Sequence, residues 1–235
     1  MAITINGGVI NITSGNDGIN TNEDGVSVMT INGGNLNVEV KGTTGEGDGI
    51  DSNGWLVVNG GTVQAFACGF SMDSGIDSDM GIHINGGMVI ATGNMLDEIG
   101  ESKQTYAVFT SEEVIEGGTG MELKNKAGDT VVEAAVTNSC TRLIVSSKDL
   151  QPGTYTLWYA GEKHAVSEMN GGMFGRPRDG GDKPDGEMPQ FLDGEPPQMP
   201  KDFERPDFGG GDIANMEAVE EFTIKEGANM FLIAK

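Results

Sequence analysis

Over the first 93 residues, apolar and polar positions alternate with a period of two in short runs, and each run is interrupted by the same triplet. Asn6-Gly7-Gly8, Asn32-Gly33-Gly34, Asn59-Gly60-Gly61 and Asn85-Gly86-Gly87 recur at spacings of 26, 27 and 26 residues. Apolar pairs precede each triplet: Ile3 and Ile5, Met29 and Ile31, Leu56 and Val58, Ile82 and Ile84. A second alternation follows each one: Val9, Ile10 and Ile12; Leu36, Val38 and Val40; Val63, Ala65 and Ala67; Met88 and Ile90. Period-two runs of this length predict strands, and glycine pairs permit the sharp corners between them. A third short segment carries Gly18-Ile19, Gly49-Ile50 and Gly75-Ile76. Three strands per repeat without a helical pattern predict one coil of a parallel β-helix, with Ile and Val stacked inside and Asn side chains laddered at a corner. A propeller blade needs a longer repeat of about 40 residues or more, and a leucine-rich pattern is absent. The expected fold is all-β, a parallel β-helix of about four coils over residues 1–100.

Beyond Gly93 the triplet disappears and longer alternating runs replace it. Strands are expected at Tyr106–Thr110, Met121–Leu123, Val131–Val136, Arg142–Ser146 and Tyr155–Tyr159, with Gln151-Pro152-Gly153 as a turn. Residues 101–169 thus read as an antiparallel β cap, which a solenoid needs because an open end exposes core and unpaired backbone. Residues 170–212 hold seven prolines and ten glycines and read as a disordered insertion. Residues 213–235 resume the alternation at Glu221–Ile224 and Met230–Ile233, as strands returning to the cap. Trp158, next to Leu157, is expected in the cap core.

Composition narrows the functional classes. The 38 glycines in 235 residues far exceed the ordinary share of about 7% and suit a turn-dense repeat. A net charge of −22 opposes binding to nucleic acid or to an anionic membrane surface, and makes a hard cation the natural counter-charge. Cys68 and Cys140 are too few for a zinc site or a disulfide scaffold; one disulfide or two thiols are both compatible. No apolar run is long enough to span a bilayer, so no membrane insertion is expected. Met1 leads directly into strand-like Ile3-Thr4-Ile5, as in a mature domain cut from a longer precursor.

The acids fall in register when the Gly-Ile pairs are aligned. Asp17, Asp48 and Ser74 form one column, Asn20, Asp51 and Asp77 a second, and Asn22, Asn53 and Asp79 a third. Coils stacked about 4.8 Å apart bring these oxygens face to face, and a cation between them relieves the repulsion. Oxygen ligands of this type suit calcium. Asp48, Asp51, Asp77 and Asp79 are the principal candidates, with Asp73 and Asp24 as additional ligands. Trp55 follows directly on this segment and Phe70 lies in the same coil; both are candidate faces for stacking on sugar rings.

Ile31-Asn32-Gly33-Gly34, Gly47-Asp48-Gly49-Ile50-Asp51-Ser52, the segment Val145–Leu157 and the Gly/Pro/Met-rich insertion together resemble a bacterial carbohydrate-binding family. That family has a right-handed parallel β-helix similar to polysaccharide lyases. The resemblance implies a secreted or cell-surface protein that binds calcium and plant cell-wall polysaccharide, with polygalacturonate-like and cellulose-like glycans as candidate ligands. Asp48 and Asp51 fall on the family's Asp-Gly-Ile-Asp motif itself, whereas the next rung keeps only its second acid, Asp77, since Ser74 replaces the first. A calcium-dependent lyase is the alternative. It needs a base, and residues 1–100 contain no arginine, one lysine (Lys41) and one histidine (His83). A purely structural or adhesive solenoid is the third reading.

Overall fold

The computed structural model describes residues 1–24, 26–42, 47–169 and 217–234. The expected insertion at residues 170–212 lies outside the described residues. Every regular element among them is a strand, so no helix is long and apolar enough to cross a membrane.

The solenoid contains β1 (Ala2–Ile5), β2 (Val9–Ser14), β3 (Ile19–Thr21), β4 (Val28–Ile31), β5 (Asn35–Val40), β6 (Ile50–Ser52), β7 (Trp55–Val58), β8 (Thr62–Phe66), β9 (Gly81–Ile84) and β10 (Met88–Gly93). One face stacks β1, β4, β7 and β9 in parallel; a second stacks β2, β5, β8 and β10 in parallel. The third pairs β3 with β6, and the Ile50–Ile76 bridge extends it by one rung. About three turns result rather than the expected four. The Asn85-Gly86-Gly87 triplet opens a further coil with β9 and β10, but the chain then leaves the parallel stack, and the first face is continued by the Ile82–Ile99 bridge.

Stacking follows from the repeat. The positions that alternate inward, including Ile31, Leu56 and Ile82, are almost fully buried in one continuous core. At the corner before the second face the Asn ladder forms: Asn32 Nδ2 donates to Asn6 Oδ1 (2.9 Å), Asn59 Nδ2 to Asn32 Oδ1 (2.9 Å) and Asn85 Nδ2 to Asn59 Oδ1 (3.1 Å). Gly8, Gly34, Gly61 and Gly87 take positive φ at this corner, the conformation that reserves the last triplet position for glycine. The corner between the third and first faces is lined inside by hydroxyls. Thr21 Oγ1 donates to Ser52 Oγ (2.8 Å), and Ser78 Oγ donates to Gly54 O (2.6 Å).

The cap adds β11 (Tyr106–Ile115), β12 (Thr119–Asn125), β13 (Thr130–Val136), β14 (Cys140–Ser147), β15 (Gly153–Tyr159), β16 (Glu162–His164), β17 (Val166–Glu168), β18 (Phe222–Ile224) and β19 (Ala228–Ile233). It does more than close the end. Strand β14 joins β10 antiparallel, and β11, β19 and β17 carry the second solenoid face on into an eight-stranded sheet. A second sheet, ordered β13-β12-β15-β16 with β18 beside β15, shares a core with this extension. Alternation therefore serves two cores: Val89 and Ala91 of β10 point into the solenoid, while Ile90 joins Phe109, Phe222 and Phe231 under the cap. Phe66 points out of the solenoid and is buried by the cap. Trp158 is not in the cap core: Leu157 takes the inward position, and Trp158 lies half-buried on the outer surface with Lys124 Nζ 4.6 Å from its ring centroid. Cys68 and Cys140 are both buried thiols, and burial pushes Cys140 up to about 12.

Candidate functional site

The third face carries the acids in the register that the repeat implies. Asn20 lies opposite Asp51 across β3 and β6, and the backbone bonds Gly18 N–H to Asp48 O (3.0 Å) and Gly49 N–H to Ser74 O (3.1 Å) stack the first column. In the first rung amides reconcile the acids. Asn20 Nδ2 donates to both Asp17 Oδ2 (2.8 Å) and Asp51 Oδ2 (2.7 Å), and the Asp48 N–H donates to Asp17 Oδ1 (3.1 Å).

One rung further the facing side chain is another acid. Asp48, Asp51 and Asp77 each bring a carboxylate oxygen to within 4.8 Å of the other two. Asp77 is buried and the other two are half-buried. Desolvation, then the charge of Asp77, push the Asp48 carboxyl from 3.8 up to about 8; Asp73 and Asp51 add smaller repulsions, and the Ser74 N–H that donates to Asp48 Oδ1 (2.6 Å) opposes them. Two oxygens on one calcium are separated by at most about 5 Å, twice the metal–oxygen distance. The spacing and the all-oxygen donor set therefore fit calcium.

The remaining candidate ligands stand around this triad rather than in it. Asp73 accepts the Gly47 N–H, and its charge reaches Asp48. Asp79 is exposed, and its N–H donates to Ser52 O (3.0 Å). Asp24 accepts from Asn53 Nδ2 (2.8 Å) in the neighbouring column. Asp97, which no repeat signal marks because it lies beyond the fourth triplet, accepts the Ser78 N–H (2.8 Å) beside Asp77.

Trp55 opens β7 immediately after the corner at Gly54. Its outward position leaves it 37% exposed, with the His83 ring from β9 tilted against it at 5.4 Å between centroids. His83 was not among the expected site residues; its signal is its position two residues beyond Gly81, the register partner of Trp55. Gly81 has no side chain to cover the indole. Phe70 is 73% exposed in the turn closed by Ser71 N–H to Cys68 O (3.4 Å). Lys41, the one lysine in residues 1–100, lies 3.1 Å from Glu39 Oε2.

A search of curated proteins and a search of solved structures each returned no match. A family model described as carbohydrate-binding domain-containing protein matches residues 2–138, which include the whole solenoid, the acid triad and Trp55. With more than half of its length matched, this chain belongs to the carbohydrate-binding domain-containing protein family.

Proposed function

We propose that this protein is a non-catalytic binder of acidic cell-wall polysaccharide of the polygalacturonate type, acting through calcium held by Asp48, Asp51 and Asp77. The observation that carries the reading is the convergence of three carboxylates from two successive coils within 4.8 Å. Calcium would supply the positive charge that lets all three ionise together, and an open side of the ion can accept a uronate carboxylate. Asp73 and Asp79 stand ready as outer groups, and Trp55 with Phe70 offers aromatic faces to the apolar side of a pyranose ring. The resemblance to surface carbohydrate-binding proteins supports an extracellular or cell-surface location. Calcium affinities of extracellular modules run about 10⁻⁴–10⁻³ M, a range that a site built on three carboxylates suits.

Calorimetric titration of calcium with and without polygalacturonate, on the unmodified protein and on Asp51→Ala, tests the reading. Polygalacturonate affinity should depend on calcium and fall at least about tenfold in the variant, since one ligand is lost. Uronate affinity unchanged by chelation and by Asp51→Ala would sink it. The lyase alternative predicts unsaturated product absorbance on pectate with calcium, and the pairing of Lys41 with Glu39 disfavours it.

A further inference from the structure

The outer surface of the second solenoid face is built differently from the Asn-Gly-Gly corner. Asn11, Asn37 and Gln64 lie in strict register on β2, β5 and β8. Unlike the laddered Asn6, Asn32, Asn59 and Asn85, these three side-chain amides make no hydrogen bond among the described residues. They form the floor of a groove of about 580 Å³ that also takes in Thr62 and is walled by Ala135 and Thr137 at the end of β13. The wall is fixed in place: Asn138 Nδ2 donates to Val40 O (2.8 Å) and Ala67 O (2.7 Å), tying the end of β13 to the solenoid. β13 is the edge strand of its sheet and contributes Ala135 to this wall.

The chemistry of this groove selects its ligand. None of its lining residues is charged, although the chain carries a net charge of −22. Each primary amide both donates and accepts, as does each sugar hydroxyl. The amides repeat at the inter-strand spacing of about 4.8 Å, close to the rise of one unit in an extended sugar chain. From this juxtaposition we infer that the groove between the amide column Asn11–Asn37–Gln64 and strand β13 is a second glycan site, which binds a neutral polysaccharide without calcium. The inference rests on the carbohydrate-binding reading but not on the acid triad. The two sites differ in ligand charge and in metal dependence, and they occupy different faces of the same coils.

Affinity electrophoresis separates them. Gels containing a neutral glycan (hydroxyethylcellulose or galactomannan) with chelator report on the groove, and gels containing polygalacturonate with calcium report on the triad. The protein, Asn37→Ala, Ala135→Trp and Asp51→Ala are run in both. Asn37 and Ala135 are exposed, so neither substitution disturbs a core, and Ala135→Trp adds bulk at the groove wall while leaving the floor residues unchanged. Retention by at least one neutral glycan in chelator is expected, with a loss of about tenfold in Asn37→Ala, the worth of one or two hydrogen bonds. Ala135→Trp should abolish it and Asp51→Ala should leave it unchanged. Failure of the polygalacturonate arm alone overturns the calcium reading and leaves the groove standing. Absence of neutral-glycan retention, or retention untouched by both groove variants, overturns the groove.

Discussion

Burial favours the Asp48 carboxyl as an acid and disfavours it as an anion. Its folded value of about 8 lies above the 3.8 of an exposed carboxyl, so in chelator-treated protein the folded state holds a proton that the unfolded chain has released between those values. The stability that this group contributes is full below 3.8 and is lost as pH rises through about 8. The thermal midpoint in chelator should therefore fall across that interval, and Asp48→Asn should flatten the slope. Calcium bound at the proposed triad would displace the same proton. Calorimetry near neutral pH in two buffers of different ionisation enthalpy should register proton release on calcium binding, which Asp48→Asn abolishes. Trp55 makes a separable contribution. Being partly exposed, it can be replaced by Ala with little loss of stability, whereas polygalacturonate affinity should fall about tenfold if the indole stacks on sugar, with calcium affinity retained.

At the scale of the element, the coil corners are the most constrained positions. A Cβ on Gly54 would lie 1.8 Å from Ser27 O of the preceding coil, so Gly54→Ala must push two coils apart. It should cost about 3 kcal/mol or more, read as a lower urea midpoint. Asn59 donates to Asn32 and accepts from Asn85, so Asn59→Ala breaks two ladder bonds and should cost about 1–2 kcal/mol in the same assay. These corners and the acid columns are legible in the sequence because a 26- or 27-residue repeat determines which residues stack. The outward position of Trp158 and the burial of Phe66 are not. Both depend on the cap sheet folding over one solenoid face, a pairing between segments far apart in the chain that no local period encodes. The groove escapes sequence reading for the same reason, because its floor and its wall meet only after the cap has docked.

Across the whole molecule, the eight-stranded sheet welds the cap to the solenoid. Phe109 stacks on Phe231 at 5.3 Å and meets Phe222 edge-on at 5.8 Å; Phe109→Ala should destabilise the protein by about 3–5 kcal/mol, measured by chemical denaturation. The opposite end has no counterpart among the described residues. β1, β2 and β3 each pair on one side only, and Ile3, Ile5, Ile10, Ile12 and Ile19 remain partly exposed where Met29, Ile31, Leu36, Val38 and Ile50 are sealed. In a stack where each coil contacts only its neighbours, such asymmetry gives unfolding a direction. Backbone hydrogen exchange should be fastest in β1 to β3, slower in β4 to β6 and slowest where β10 meets β14. Opening then travels as a front from the first coil toward the cap, and calcium clasped between the second and third coils would be the first obstacle it meets.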